Sequence, residues 1–290
     1  MIDAIFYVIR KGNNSMKTWK GLILLIFVLT IGGILLMEPA MGAQHESGMG
    51  YEDTPMLPGG KWHVHDANRP QPVKVTAGTC RAEGRAVQPP SDAQVLFDGK
   101  DLSQWKDAHG GLAQWTVRDG YFEVAPKTGD IYTREDFGDI QLHVEWRTPA
   151  PLKPGNVWQG NSGVFLFGVY ELQVFESSRN LIYADGQAGA IYGQYPPLVN
   201  PSCDPGEWQE YDIIFNPARF KDGNLETPAY ITVFQNGVVI QNHTAIMGET
   251  GHRIFPHYTD RGPKGPIRLQ DHGDFVRYRN IWVRELKARD

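Results

Sequence analysis

The chain has 290 residues, with 28 Lys and Arg against 33 Asp and Glu for a formal charge of −5, and is 41% hydrophobic and 11% aromatic. With no net positive field to release counterions from phosphate, a nucleic-acid partner is not expected. Two cysteines exclude a disulfide-dense scaffold or a Cys-rich metal module, while 32 Gly and 20 Pro are too few for a collagen-like or wholly disordered chain.

Gly21 to Met37 is an uncharged apolar run preceded by Lys17 and Lys20 and followed by the small-residue stretch Ala40-Met41-Gly42-Ala43. A positive segment, an apolar segment and a cleavage-like site read as a secretory signal over residues 1–43, with Met16 as an alternative start. An uncleaved anchor is the competing reading, because the run sits at the lower edge of a spanning helix. A membrane partner is expected only in that case. Cleavage removes four bases and two acids, so the mature charge becomes −5 − 2 = −7. The expected destination is the periplasm or the exterior, where Cys80 and Cys203 meet oxidising conditions. Pairing and two free thiols both stay open.

Residues 44–92 are rich in Gly, Pro and small polar residues, and Pro55, Pro58, Pro70, Pro72, Pro89 and Pro90 interrupt any regular element. This predicts an extended arm, part of it laid along the domain. His63 and His65 form a His-x-His pair that suits a metal only with a third ligand.

From residue 93 to 287 the apolar pattern has period two. Trp115–Val117 and Tyr121–Val124 flank an Asp119-Gly120 turn, and Ile140 to Trp146 alternate with polar neighbours. Val164–Phe167 and Tyr170–Phe175 form an apolar pair, and Tyr211–Phe215 follows. Tyr230–Phe234 and Val238–Gln241 flank Asn236-Gly237, and Ile267–Leu269 and Val276–Val283 close the domain. No long stretch keeps a helical period. The pattern predicts an all-β, two-sheet antiparallel jelly-roll sandwich.

Polar residues on predicted strand faces mark candidate sites. On Tyr170–Glu176, Glu171, Gln173 and Phe175 share one face, a carboxylate and an amide beside a stacking ring. On Arg268–Gly273, Arg268, Gln270 and His272 share a face, and an imidazole can serve as base, acid or metal ligand. Asn161 lies in the Gly160–Gly163 turn before the first of these strands, and Tyr192 sits in Gly189–Gly193, suited to close approach to a ligand. Arg277 and Arg279, two apart, could orient a ligand oxygen or simply be surface arginines.

Val95-Leu-Phe-Asp-Gly-Lys-Asp-Leu-Ser-Gln-Trp105, Gly160-Asn-Ser-Gly-Val-Phe-Leu166, Tyr170-Glu-Leu-Gln-Val174, Gly189-Ala-Ile-Tyr-Gly193, Pro205-Gly-Glu-Trp208 and Leu269-Gln-Asp-His-Gly273 resemble the 3-keto-disaccharide hydrolase family, in order, over about residues 93–287. Gly50 to Pro72 resembles the arm that precedes the domain in some members. The resemblance implies a concanavalin-like jelly roll acting on glycosides whose glucose carries a ketone at C3. The attributed chemistry is elimination of the C1 substituent followed by hydration of the enone, a net hydrolysis. Such chemistry needs a base near C2, an electrophile at the C3 oxygen and an acid for the leaving group. Glu171 or His272 suits the base; Gln173, Gln270 and Arg268, or a divalent cation held by Glu171, His272 and Asp271, suit the enolate. A second reading sets Glu171 and Glu176 beside the paired carboxylates of laminarinase-like retaining glucanases, with Gln173 where those enzymes carry Asp and a β-bulge aligning the pair. A third is a carbohydrate-binding module without turnover.

Overall fold

The computed structural model describes residues 49–80 and 88–287; the expected signal segment lies outside the described residues. Fifteen strands follow in chain order: β1 (Gln94–Phe97), β2 (Trp105–Asp107), β3 (Thr116–Arg118), β4 (Tyr121–Glu123), β5 (Ile131–Thr133), β6 (Ile140–Arg147), β7 (Ser162–Leu166) and β8 (Tyr170–Val174). Then come β9 (Gln209–Asn216), β10 (Arg219–Lys221), β11 (Asn224–Thr227), β12 (Tyr230–Gln235), β13 (Val238–Ala245), β14 (Arg268–Leu269) and β15 (Arg277–Glu285). The longer strands are those with sustained alternation. β1, β2, β5, β10 and β11 are too short to show a period, and the alternating pattern does not predict them.

The strands make a two-sheet jelly-roll sandwich. One sheet runs β13-β12-β9-β6-β15-β4-β3 with β1 also on β15; the other runs β2-β5-β14-β7-β8. Both expected hairpin turns place their two central residues at positive φ, Asp119 at 50° with Gly120 at 78° and Asn236 at 51° with Gly237 at 79°. That is the turn whose twist matches paired strands. Between the sheets lie Phe122, Trp146, Tyr211, Phe215, Tyr278, Ile131, Leu166 and Leu172, all buried. Two core tyrosines also tie the sheets by hydrogen bonds: Tyr278 Oη donates to Ser162 Oγ at 2.7 Å, and Tyr211 Oη donates to the Gln173 carbonyl at 2.8 Å.

The arm is more folded than an extended segment. The N–H of Leu57 donates to Trp62 O and that of Val64 to Pro55 O, so the chain turns back on itself before it crosses the domain. His63 and His65 do not converge on one point. The His63 Nδ1 pairs with Thr54 O at 2.5 Å, while His65 is fully buried against Asp185. Within the arm, Cys80 forms a disulfide with Cys203, their Cα atoms 5.5 Å apart.

Arg277 and Arg279 lie on the outer face of the large sheet, not beside the residues of β8 and β14. Arg277 Nε pairs with Glu123 at 2.5 Å and Arg279 Nε with Glu145 at 2.6 Å, both part of β15's contacts with its neighbours. The same face buries His143, whose Nδ1 meets Asp212 Oδ1 at 2.8 Å and whose ring stacks on Trp282. Burial alone would lower the His143 pKa, but the bonds to Asp212 and Glu145 outweigh it and raise it to about 9. A folded-state value above the unfolded 6.5 means the protonated imidazole stabilises the fold below about pH 6.5, and that gain is lost as pH rises through about 9. In denaturant titrations His143→Gln should therefore be most destabilising below about pH 6.5, with the gap to the parent shrinking steadily towards pH 9.

Candidate functional site

Pairing across β14, β7 and β8 places one row of side chains in register: Arg268 opposite Phe165, and Phe165 opposite Glu171. Two residues along each strand lies a second row on the same face. Gln270 donates its N–H to Gly163 O at 3.1 Å, and Gly163 pairs with Gln173. Alternation along these strands turns the apolar positions Leu172, Val174, Val164 and Leu269 into the core. The polar set faces a cavity of about 210 Å³, bounded also by Asn161, Tyr192, Thr250, Gly251, His252 and His272.

The middle of this ledge needs a glycine. A Cβ on Gly163 would stand 2.5 Å from Glu171 Oε1 and 2.7 Å from the Phe165 ring, so any side chain there displaces the carboxyl. The Arg268 guanidinium carbon lies 3.5 Å from the centre of the Phe165 ring, a cation–π contact that sets the plane of the guanidinium. Its Nη1 also reaches Asp130 Oδ2 at 3.5 Å.

Glu171 is only 6% exposed. Burial pushes its pKa up to about 8; Arg268 pulls against this and Asp130 adds to it. Its main chain is held on both sides. The N–H donates to Thr250 Oγ1 at 3.0 Å, and its carbonyl accepts from the Tyr192 N–H at 3.1 Å. The side-chain carbonyls of Gln173 and Gln270 and the Nε of Arg268 are buried without a protein partner. All three belong to residues that line the cavity, where a polar group could pair with them.

On the opposite wall, Tyr192 Oη lies 2.8 Å from Tyr183 Oη and 3.1 Å from His252 Nδ1. Burial raises the Tyr192 phenol, which stays protonated. The His252 imidazole is lowered by burial first, then by His65, Arg253 and His272. His272 is exposed at the mouth.

Seven of the eight expected residues thus meet in one cavity: Glu171, His272, Gln173, Tyr192, Arg268, Gln270 and Asn161. Phe175 does not. The paired strand ends at Val174, alternation stops with it, and Phe175 is fully buried in the core. The same break separates Glu176 from Glu171. β8 is regular in register with no bulge, and Glu176 is buried with Oε1 accepting the N–H of Ser178 at 3.0 Å. The paired-carboxylate arrangement of a retaining glucanase is therefore not built here.

Asp271 is likewise outside the cavity lining, its carboxylate accepting the N–H groups of Gly129 and Gly273. Among the described residues, Glu171, His272 and Asp271 do not bring three ligand atoms within 4.8 Å of one another. The oxygen donors that do face the cavity with Glu171 are the free amide carbonyls of Gln173 and Gln270.

The alternating pattern alone does not single out Phe165, Thr250, Gly251 and His252. Phe165 reads there as an ordinary apolar strand residue. The segment carrying Thr250 and His252 has no strand pattern and lies about 80 residues from Glu171 along the chain. Its one signal is the Gly251-His252 pair in a region without apolar periodicity.

Comparison with known proteins identifies the family. Residues 92–284 match the model of a 3-keto-alpha-glucoside-1,2-lyase-like domain. A 3-keto-disaccharide hydrolase of Bacteroides thetaiotaomicron is 22% identical over 253 residues, 71% of this chain and 83% of that protein. A crystal structure from Parabacteroides distasonis, provisionally described as a glycosyl hydrolase, is 44% identical with a TM-score of 0.67, covering 80% of this chain and 100% of that one. A second from the same organism, at 24% identity and a TM-score of 0.50, shares the fold over 68% of this chain and 94% of its own. With two thirds of its length matched by the family model, the chain belongs to the 3-keto-disaccharide hydrolase family.

Proposed function

We propose that the protein cleaves 3-keto-glycosides by elimination across C1–C2 followed by hydration of the enone. The observation that carries this reading is a buried carboxyl group of raised pKa set among unpartnered polar atoms. Glu171 as carboxylate takes the C2 proton, made acidic by the C3 ketone. The C2–H electron pair becomes the C1–C2 double bond as the C1–O bond breaks and the aglycone leaves with its electrons. Water then adds at C1 and a proton returns to C2, so the products are those of hydrolysis.

A carboxylate forced up to about 8 is a stronger base than a solvated one and better matched to a carbon acid. The Arg268 guanidinium, held over Phe165, supplies positive charge for the developing enolate oxygen. Gln173 and Gln270 offer their free carbonyls to sugar hydroxyls. His272, exposed at the mouth, protonates the departing aglycone. A divalent cation, where one is held by Glu171 with the two amide carbonyls, would polarise the C3 oxygen. The family match and the relative from Bacteroides thetaiotaomicron support the substrate class. The Cys80–Cys203 disulfide supports export to an oxidising compartment.

Two outcomes test this reading. With a 3-keto-glucoside, kcat/KM should rise with pH through about 8, since only ionised Glu171 acts as base, and Glu171→Gln should lower it by about 100-fold or more while abolishing that limb. Sugar binding without turnover of any 3-keto-glycoside would instead leave a carbohydrate-binding module. Gly163→Ala should lower kcat by roughly 10–100-fold, because its Cβ would displace the Glu171 carboxyl and press on the Phe165 ring that carries Arg268.

A further inference from the structure

We propose that the arm supports the sugar site, and that His65, clamped by Asp185, is the positioning residue that holds Tyr192 and His252 against the cavity. Three independent features point there. The first is conformational. His65 adopts φ 58°, a region that costs a non-glycine residue free energy, and its side chain is completely buried. Such a backbone persists only where its surroundings over-determine it.

The second is the clamp. His65 donates its backbone N–H to Asp185 Oδ2 at 2.9 Å, and its Nδ1 lies 3.0 Å from Asp185 Oδ1. Arg69 of the same arm reaches Asp185 Oδ2 at 3.7 Å and donates to Gln194 O at 2.8 Å. The Asp185 carbonyl accepts the N–H of Gly193, so one residue holds the arm by its side chain and the Tyr192 loop by its main chain. His65 Nε2 is buried with no protein partner, which leaves the ring's place dependent on the clamp and on stacking.

The third is where the ring lies. Its centre is 4.0 Å from that of Tyr183, 4.7 Å from that of Tyr192 and 5.1 Å from that of His252, on which it stacks at 28°. It therefore packs against both Tyr192 and His252, which line the cavity, without lining the cavity itself. The arm also grips the segment carrying His252, because Arg253 pairs with Asp53 at 2.8 Å and stacks over Tyr51 at 4.3 Å. Removing the ring would leave a hole behind Tyr192 and free His252 to turn.

This inference rests on the proposed function only for its kinetic arm. The variant to test in the full chain is His65→Asn, which tolerates positive φ and keeps the N–H to Asp185 while deleting the ring. The groups facing His252 are His65, Arg253 with its partner Asp53, His272, Tyr192, Tyr183 and Tyr51. Loss of His65 relaxes both burial and repulsion, so the His252 imidazole should titrate at higher pH in side-chain NMR of the variant. On a 3-keto-glucoside kcat should fall about tenfold with KM changed less than twofold. In the Tyr192→Phe background His65→Asn should cost no more than a further twofold, because both act through the same hydroxyl chain. An unmoved His252 titration, or losses that multiply, overturns the proposal. If the parent turns over no 3-keto-glycoside, the functional reading fails and the NMR titration still decides this one. Should His65→Asn not fold, Asp185→Asn, which keeps the shape and weakens the clamp, is read by the same two measurements with the same expected signs.

Discussion

The site depends on one constraint: a carboxyl group is kept out of water on a sheet face without being neutralised by a close ion pair. Glu171 has only the more distant influence of Arg268 to favour its charge, and burial wins, taking it to about 8. Much else in the cavity serves that balance. Gly163 gives up its side chain so that the carboxyl has room. Phe165 holds the Arg268 guanidinium flat beside Glu171 rather than letting it form a short ion pair. Thr250 and the Tyr192 main chain hold the main chain of Glu171 on both sides, which fixes the point from which its side chain enters the cavity. A closer arginine would make Glu171 a weak base, and a fully exposed position would let its pKa return to the ordinary carboxylate range.

The sandwich was legible in the sequence because an antiparallel sheet facing a core on one side writes its geometry into alternation, and Asp119-Gly120 and Asn236-Gly237 write their turns into residue type. The same alternation identified Glu171 with Gln173 and Arg268 with Gln270, since a polar pair on a strand that is apolar on its other face must meet something. It failed at Phe175, where the strand stops one residue earlier and parity no longer predicts direction. It gave nothing for Thr250 and His252, whose segment reaches Glu171 through the tertiary fold and not through a local pattern.

The arm shows the limit of composition as a guide. Its prolines and glycines rule out regular elements, yet Val64 and His65 are as buried as any core residue. What anchors it is a pair of buried hydrogen-bond contacts from His65 to Asp185, 120 residues apart, that no local window contains. Arm and domain are joined again by Cys80–Cys203, so the arm is fixed at a point near the cavity and at a point near β9. Irregular backbone here is not loose backbone. Its hydrogen bonds go to the domain instead of to a ladder.

The most direct test of the central claim is the fate of the proton on C2. Turnover of a 3-keto-glycoside in deuterium oxide, followed by NMR at early times against an enzyme-free control, separates elimination from direct displacement at C1. Elimination by Glu171 and rehydration predict solvent deuterium at C2 of the released sugar at the rate of cleavage. Released sugar that keeps its original C2 hydrogen while the glycosidic bond is cut would contradict the account.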